Sequence, residues 1–320
     1  MSHAVRALML LAASGLFACS SSSTSSNPTP PPAVQNLYVA NAVADSVLVF
    51  PLTATGNASP TTTMVGAATG LIDPRRIAFD AAGNIYVSNG SGTSVMEFAA
   101  TASGNAAPTA TIAGAGTGLN SPNGITLDGA GNIYVANANA PSITVYSAGA
   151  NGNATPTATI IGAATGLGDP NGLVLDGGGN IYVANDTLNS VTVYAAGANG
   201  NAAPTTTIIG AATGLNGPHG LTRDGAGNIY VANAIGNSVT VYAAGANGNA
   251  TPTATIIGAA TGLGHPNGIA LDAHGNIYVA NNANTSVTIY ATGANGNVAP
   301  TATISGALTT FSDLHGVTVH

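Results

Sequence analysis

A four-residue signature, Asn-(Ile/Leu)-Tyr-Val, recurs at Asn36, Asn84, Asn132, Asn180, Asn228 and Asn276, always 48 residues apart and without insertion. A strict period of this length marks a chain built from stacked or circularly arranged units, each too small to bury a core alone. It overrides the prior that 320 residues make two domains.

In the last whole copy the unit runs Pro266-Asn-Gly-Ile-Ala-Leu-Asp272, then Ala-His-Gly, then Asn276-Ile-Tyr-Val-Ala-Asn281. It continues through Ser286-Val-Thr-Ile-Tyr290, a Gly/Asn-rich loop, and Pro300-Thr-Ala-Thr-Ile-Ser305. Four short runs rich in Ile, Val, Thr and Tyr, separated by Gly, Asn, Asp and Pro, are strand signals. Asp272 opens a tight turn that Gly275 closes, and the same Asp stands at Asp80, Asp128, Asp176 and Asp224; one Asp per repeat at one turn reads as a turn former. All ten Tyr fall in two columns, Tyr38 to Tyr278 and Tyr146 to Tyr290, which marks them as packing between repeats.

The register at the two ends separates a ring from an open solenoid. The repeat begins at a second strand, residues 36–41, and finishes on residues 315–320, which align with the first strand at 267–272. Residues 36–320 fall three short of six whole repeats, and the missing three are the turn between strands one and two. A solenoid gains nothing from such a cut and needs polar caps, whereas a ring removes its unpaired faces by closing. The expected fold is all-β: a six-bladed β-propeller of four-stranded antiparallel blades, closed by the C-terminal strand joining the N-terminal blade.

The residues 266–272 and 275–281 resemble the NHL-repeat blade, Pro-x-Gly-Ile-Ala-Val-Asp followed by Gly-Asn-Ile-Tyr-Val-Ala-Asp, of the six-bladed TolB-like architecture. The resemblance covers residues 36–320 and departs in two columns. The family Asp is Asn here (Asn41, Asn89, Asn137, Asn185, Asn233, Asn281) and the family Arg is Ser (Ser46, Ser94, Ser142, Ser190, Ser238, Ser286). A charged pair exchanged on both sides for neutral hydrogen-bonding groups costs little provided neither is left unpaired. The family hosts binding scaffolds and enzymes alike, so it implies a fold more than an activity.

At the N-terminus, Arg6 precedes an apolar run from Ala7 to Phe17, and Leu16-Phe17-Ala18-Cys19 resembles a bacterial lipobox. Residues 1–18 are expected to be a lipoprotein signal peptide and 19–35 a Ser/Pro-rich tether, flexible and then extended. Cys19, the sole Cys, is the expected lipidation site, which would hold the protein to a lipid membrane in the cell envelope, at the outer membrane if the host is Gram-negative; the alternative is a secreted protein. Only 5% of residues are charged and the net charge is −7, with Arg6, Arg75, Arg76 and Arg223 the only cations. No basic patch exists for phosphates, which argues against nucleic acid, and a monomer is expected.

Perfect repetition builds a scaffold; chemistry at one place needs copies that break the pattern. The column that leads into the first strand reads Arg75, Asn123, Asn171, His219, Asn267, His315, and two positions earlier stand Asp73, Ser121, Asp169, Gly217, His265, Asp313. In a propeller these ring one mouth of the central channel, the usual place for a ligand. Arg75, Asn123, Asn171, His219, Asn267, His315 and His265 are therefore the expected binding residues, for an unidentified protein, glycan or small molecule. Arg75-Arg76 replaces Asn-Gly and adds a positive spot of a kind usually solvated.

His219 and His315 also resemble the inner-ring histidines of streptogramin-type lyases, which implies a second reading: a lyase or hydrolase with His219 and His315 as catalytic candidates. With Asp313 or Asp169 they could offer oxygen and nitrogen ligands to a divalent metal. No acidic partner stands beside them in sequence, since the only Glu, Glu97, lies in a third-strand column of Val and Ile; no cofactor is predicted. A structural or adhesive envelope protein is the third reading. Arg223 interrupts a Leu/Phe/Val column and is expected to snorkel; His274 is expected at the surface.

Overall fold

The computed structural model describes residues 35–320; Cys19 and the expected signal peptide lie outside it, as does the tether apart from Gln35. Six four-stranded antiparallel sheets follow one another along the chain. Blade two is typical: Pro74–Phe79 innermost, then Ile85–Asn89, Ser94–Phe98 and Ala110–Ala113 at the rim. Blades three to six begin at Pro122, Pro170, Pro218 and Pro266. Blade one takes its second to fourth strands, Asn36–Asn41, Ser46–Pro51 and Thr62–Met64, from the start of the domain and its innermost strand, Leu314–Val319, from the end. Val39 stands opposite Val317 and Leu37 opposite Val319. Asn36 and His320 exchange backbone hydrogen bonds of 2.6 and 3.0 Å where the other blades have a turn.

The apolar core lies between blades. Ile112 and Val95 of blade two pack with Ile125, Val135 and Tyr146 of blade three, and the same contact recurs between blades four and five. The third-strand tyrosines are sealed in these layers, and the hydroxyls of Tyr146, Tyr194, Tyr242 and Tyr290 each donate to a Thr carbonyl at 2.6 Å. A buried phenol thus keeps its one required partner.

The turn aspartates do what their position suggests. Asp128 Oδ1 accepts from the N–H groups of Ala130 and Asn132, and Oδ2 accepts from the Asn132 amide. Partial burial pushes this carboxyl up, but those hydrogen bonds win and hold it below the usual carboxylate range. The Asn and Ser that stand for the family's Asp and Arg meet as a neutral pair: Asn89 Nδ2 donates to Ser94 Oγ at 3.1 Å, and Asn41, Asn137, Asn233 and Asn281 repeat the bond in their blades.

The Gly/Asn-rich loops are nearly identical from blade to blade. They leave the face opposite the mouth but climb the outside of the preceding blade. Gly104 N donates to Thr63 O at 2.7 Å and Gly104 O accepts from Val65 N at 2.9 Å. Asn105 Oδ1 caps Ala68 N at 2.7 Å. The motif closes the circle where Gly56 pairs with Ile304 of blade six. The near-identity of these loops follows from that shared inter-blade contact.

Candidate functional site

The residues leading into the innermost strands are held at one channel mouth by a recurrent device. Asp73, Ser121, Asp169 and His265 have φ of 55°, 52°, 49° and 49°, left-handed values that non-glycine residues adopt at a cost. A side chain at the tip of the preceding blade secures several of them. Asp45 Oδ1 accepts from Asp73 N at 2.8 Å, Asn189 Oδ1 from Gly217 N at 2.7 Å, and Asn237 Oδ1 from His265 N at 2.6 Å.

On this frame the mouth residues form linked pairs across blade boundaries. Asn123 Nδ2 donates to Asn171 Oδ1. His219 Nδ1 lies 2.6 Å from Asn267 Oδ1, whose amide is oriented by its own donation to Leu314 O at 3.3 Å. Nδ1 of His219 therefore donates to that oxygen. Arg75 reaches Asp73 at 2.6 Å and His315 Nδ1 at 3.3 Å, while His315 Nε2 lies 3.4 Å from Asp313. Arg75 can only donate, so His315 accepts at Nδ1 and carries its proton on Nε2. Burial pushes this imidazole down, the Asp313 contact opposes that and the Arg75 charge adds to it. The hydrogen bond from His315 in turn holds the Asp313 carboxyl low, against burial.

His265 meets His219 edge to face, with ring centroids 5.6 Å apart; burial and the neighbouring His219 lower its basicity. The Asp169 carboxylate has no hydrogen-bond partner among the described residues, although the main-chain carbonyl of Asp169 accepts from Asp186 N at 3.2 Å. Burial first, then the nearby Asp186 carboxylate, raise its pKa, only partly offset by His219 and Arg75. His219, His315 and Asp313 are not gathered into one ligand set: among the described residues no three His, Cys, Asp or Glu side chains could together hold a metal.

Two expectations need correction. His219 does have an acidic partner, Asp186, whose Oδ2 lies 3.2 Å from Nε2. It comes from the loop between strands two and three of blade four. The signal was in the sequence: its column reads Ala42, Gly90, Ala138, Asp186, Ala234, Asn282. The other polar member, Asn282, donates to Asp313. Arg76, for its part, is not a solvated surface charge. It lines the channel, donating through Nη1 to His315 O and through Nη2 to Asn267 O at 2.8 Å. Burial, and then the Arg75 charge, push its pKa down to about 9. Behind it lies a cavity of about 300 Å³ walled by the innermost strands, and Arg76 narrows the mouth above that cavity.

Elsewhere, Glu97 lies away from the mouth, beside Tyr86 in a hollow on the opposite side. His274 is exposed. Arg223, half-buried, lies over the Tyr182 ring of the preceding blade at 4.3 Å, a cation–π contact.

Four buried polar side-chain atoms of the described residues lack a partner: Arg75 Nε, Asn123 Oδ1, His265 Nδ1 and Arg223 Nε. Three belong to the mouth.

The model of the SMP-30/gluconolactonase/LRE-like region matches residues 96–249, a little under half of the chain. No curated protein matches significantly. Among solved structures, a protein of unknown function from Bacteroides caccae superposes with a TM-score of 0.63 at 11% identity, covering 89% of this chain and 98% of that one. The nidogen/laminin complex gives 0.61 at 20% identity, with the same coverage. A catalytically inactive virginiamycin B lyase from Staphylococcus aureus, with quinupristin, gives 0.53 at 12%, covering 77% and 74%. At these identities the likeness is one of fold: the chain is a six-bladed β-propeller built from repeats.

Proposed function

We propose that this propeller is a binding module that takes a small, hydroxyl-bearing polar ligand on the channel mouth. The observation that carries this reading is that Arg75 Nε, Asn123 Oδ1 and His265 Nδ1, at the entries of three different blades around this mouth, are all buried and without a partner among the described residues. A buried polar atom left unpaired costs about 1–3 kcal/mol, so three around one opening are a standing preference for a group that completes them. Arg75 Nε donates, Asn123 Oδ1 accepts, and the free Asp169 carboxylate adds a further acceptor. Hydroxyl groups, which donate and accept, match such a mixed set. With Arg76 across the throat, the ligand sits on the mouth rather than passing through.

The test is a thermal-shift screen of the folded domain against sugars, polyols and hydroxy acids. A true ligand at about 100 times its Kd stabilises by about 2.7 kcal/mol. Arg75→Ala combined with His265→Ala should weaken a hit at least about tenfold, the worth of one hydrogen bond of about 1.4 kcal/mol. A hit that the double variant binds with unchanged affinity would place the site elsewhere.

The module is held at a membrane of the cell envelope through Cys19. The motivation is the lipobox-like Leu16-Phe17-Ala18-Cys19 ahead of a Ser/Pro tether. Labelled fatty acid should enter the wild type and not Cys19→Ser; equal labelling of both would defeat the anchor.

A further inference from the structure

Blade one alone lacks a turn between its first two strands, so its innermost strand, Leu314–Val319, is joined to the blade only by pairing. Three residues touch that segment from the first strand of blade two, and each departs from the repeat. Arg75, where the siblings are Asn or His, places Nη1 3.3 Å from His315 Nδ1. Arg76, where every sibling is Gly, donates to His315 O and also to Asn267 O of blade six. Phe79, where the siblings are Leu, Val or Arg, stacks on His320 with ring centroids 4.0 Å apart and planes 3° from parallel. One strand thus grips both ends of the closing segment, and Arg76 ties together blades two, one and six across the seam.

We infer that the first strand of blade two is a clamp specialised for ring closure, with Arg75, Arg76 and Phe79 replacing the covalent turn that blade one lacks. Ser88 belongs to the same adaptation. It stands in a column otherwise Ala, accepts from Arg76 N at 3.1 Å and donates to Asn123 O at 2.5 Å. The non-repeat residues of blade two are then explained by their place beside the seam, independently of any ligand.

The experiment is hydrogen exchange by mass spectrometry on the wild type and on the variant returned to the repeat: Arg75→Asn, Arg76→Gly, Phe79→Leu and Ser88→Ala. The clamp predicts that amides of residues 314–319 and 37–41 exchange about a hundredfold faster, while the innermost strands of blades three to five change by less than about twofold. Unchanged exchange at 314–319, or equal acceleration in every blade, overturns it. Phe79→Leu alone leaves both arginines in place and guards against a variant that fails to fold. It should accelerate exchange at 314–319 selectively by about tenfold, from the loss of one stacked pair, and no selective effect there overturns the clamp.

Discussion

A chain ending at Ser312 should fail to form a stable ring. The deletion removes Leu314, 0% exposed, and Val317, 6% exposed, from the cluster that also holds Leu37, Val39 and Phe50. Each such side chain is worth about 1.5–3 kcal/mol of burial, and each lost backbone hydrogen bond of the strand pair costs about 1 kcal/mol more. The strand Asn36–Asn41 is left with a bare edge along the channel, the kind of template that recruits other chains. The total is comparable with the 5–15 kcal/mol that typically holds a domain together. Denaturant unfolding followed by circular dichroism should show a broad, weakened transition and aggregation, partly reversed by a synthetic peptide of residues 313–320. A truncated chain that unfolds at the wild-type midpoint would mean that the closing strand contributes little.

Gly220→Ala should be strongly destabilising for a single added methyl in the domain's interior scaffold. A Cβ there would stand 2.7 Å from Asn267 O and 2.9 Å from Ile269 N. Both belong to the backbone of the next blade, which cannot swing aside as a side chain would. Overpacking of this kind costs about 1–3 kcal/mol, occasionally more. For a domain this large each kcal/mol lowers Tm by roughly 2–4 °C. Gly225→Ala is the control: it lies in a turn with no atom within 4 Å, and the expected change is within about 0.5 kcal/mol. Equal melting temperatures for the two variants would show that the blades part easily at this column. Blade two carries a side chain at the same position, Arg76, and with it Ser88, whose hydroxyl reaches Asn123 O across the altered gap.

The mouth was legible as a location but not as a set of contacts. A period of 48 residues puts Arg75, Asn123, Asn171, His219, Asn267 and His315 in one column, and neighbouring blades bring neighbouring members together. The links Asn123–Asn171 and His219–Asn267 are of that kind. Asp186, by contrast, reaches His219 from 33 positions away in a different column. Its side-chain direction depends on the tilt between two blades, which no residue pattern states.

Within the sequence alone lay the number of blades, the four strands of each, the place where the circle is cut and the neutral Asn–Ser pair. These are local or periodic properties, fixed by alternation, turn chemistry and repetition of the same interactions six times. Tertiary structure decided what ring closure creates. Arg76 finds its acceptors 191 and 239 residues along the chain, and those acceptors are backbone carbonyls, which every residue possesses and no sequence advertises. Its charge is buried rather than solvated because closing the circle sets the open edges of the innermost strands around a narrow channel, where a guanidinium can satisfy them.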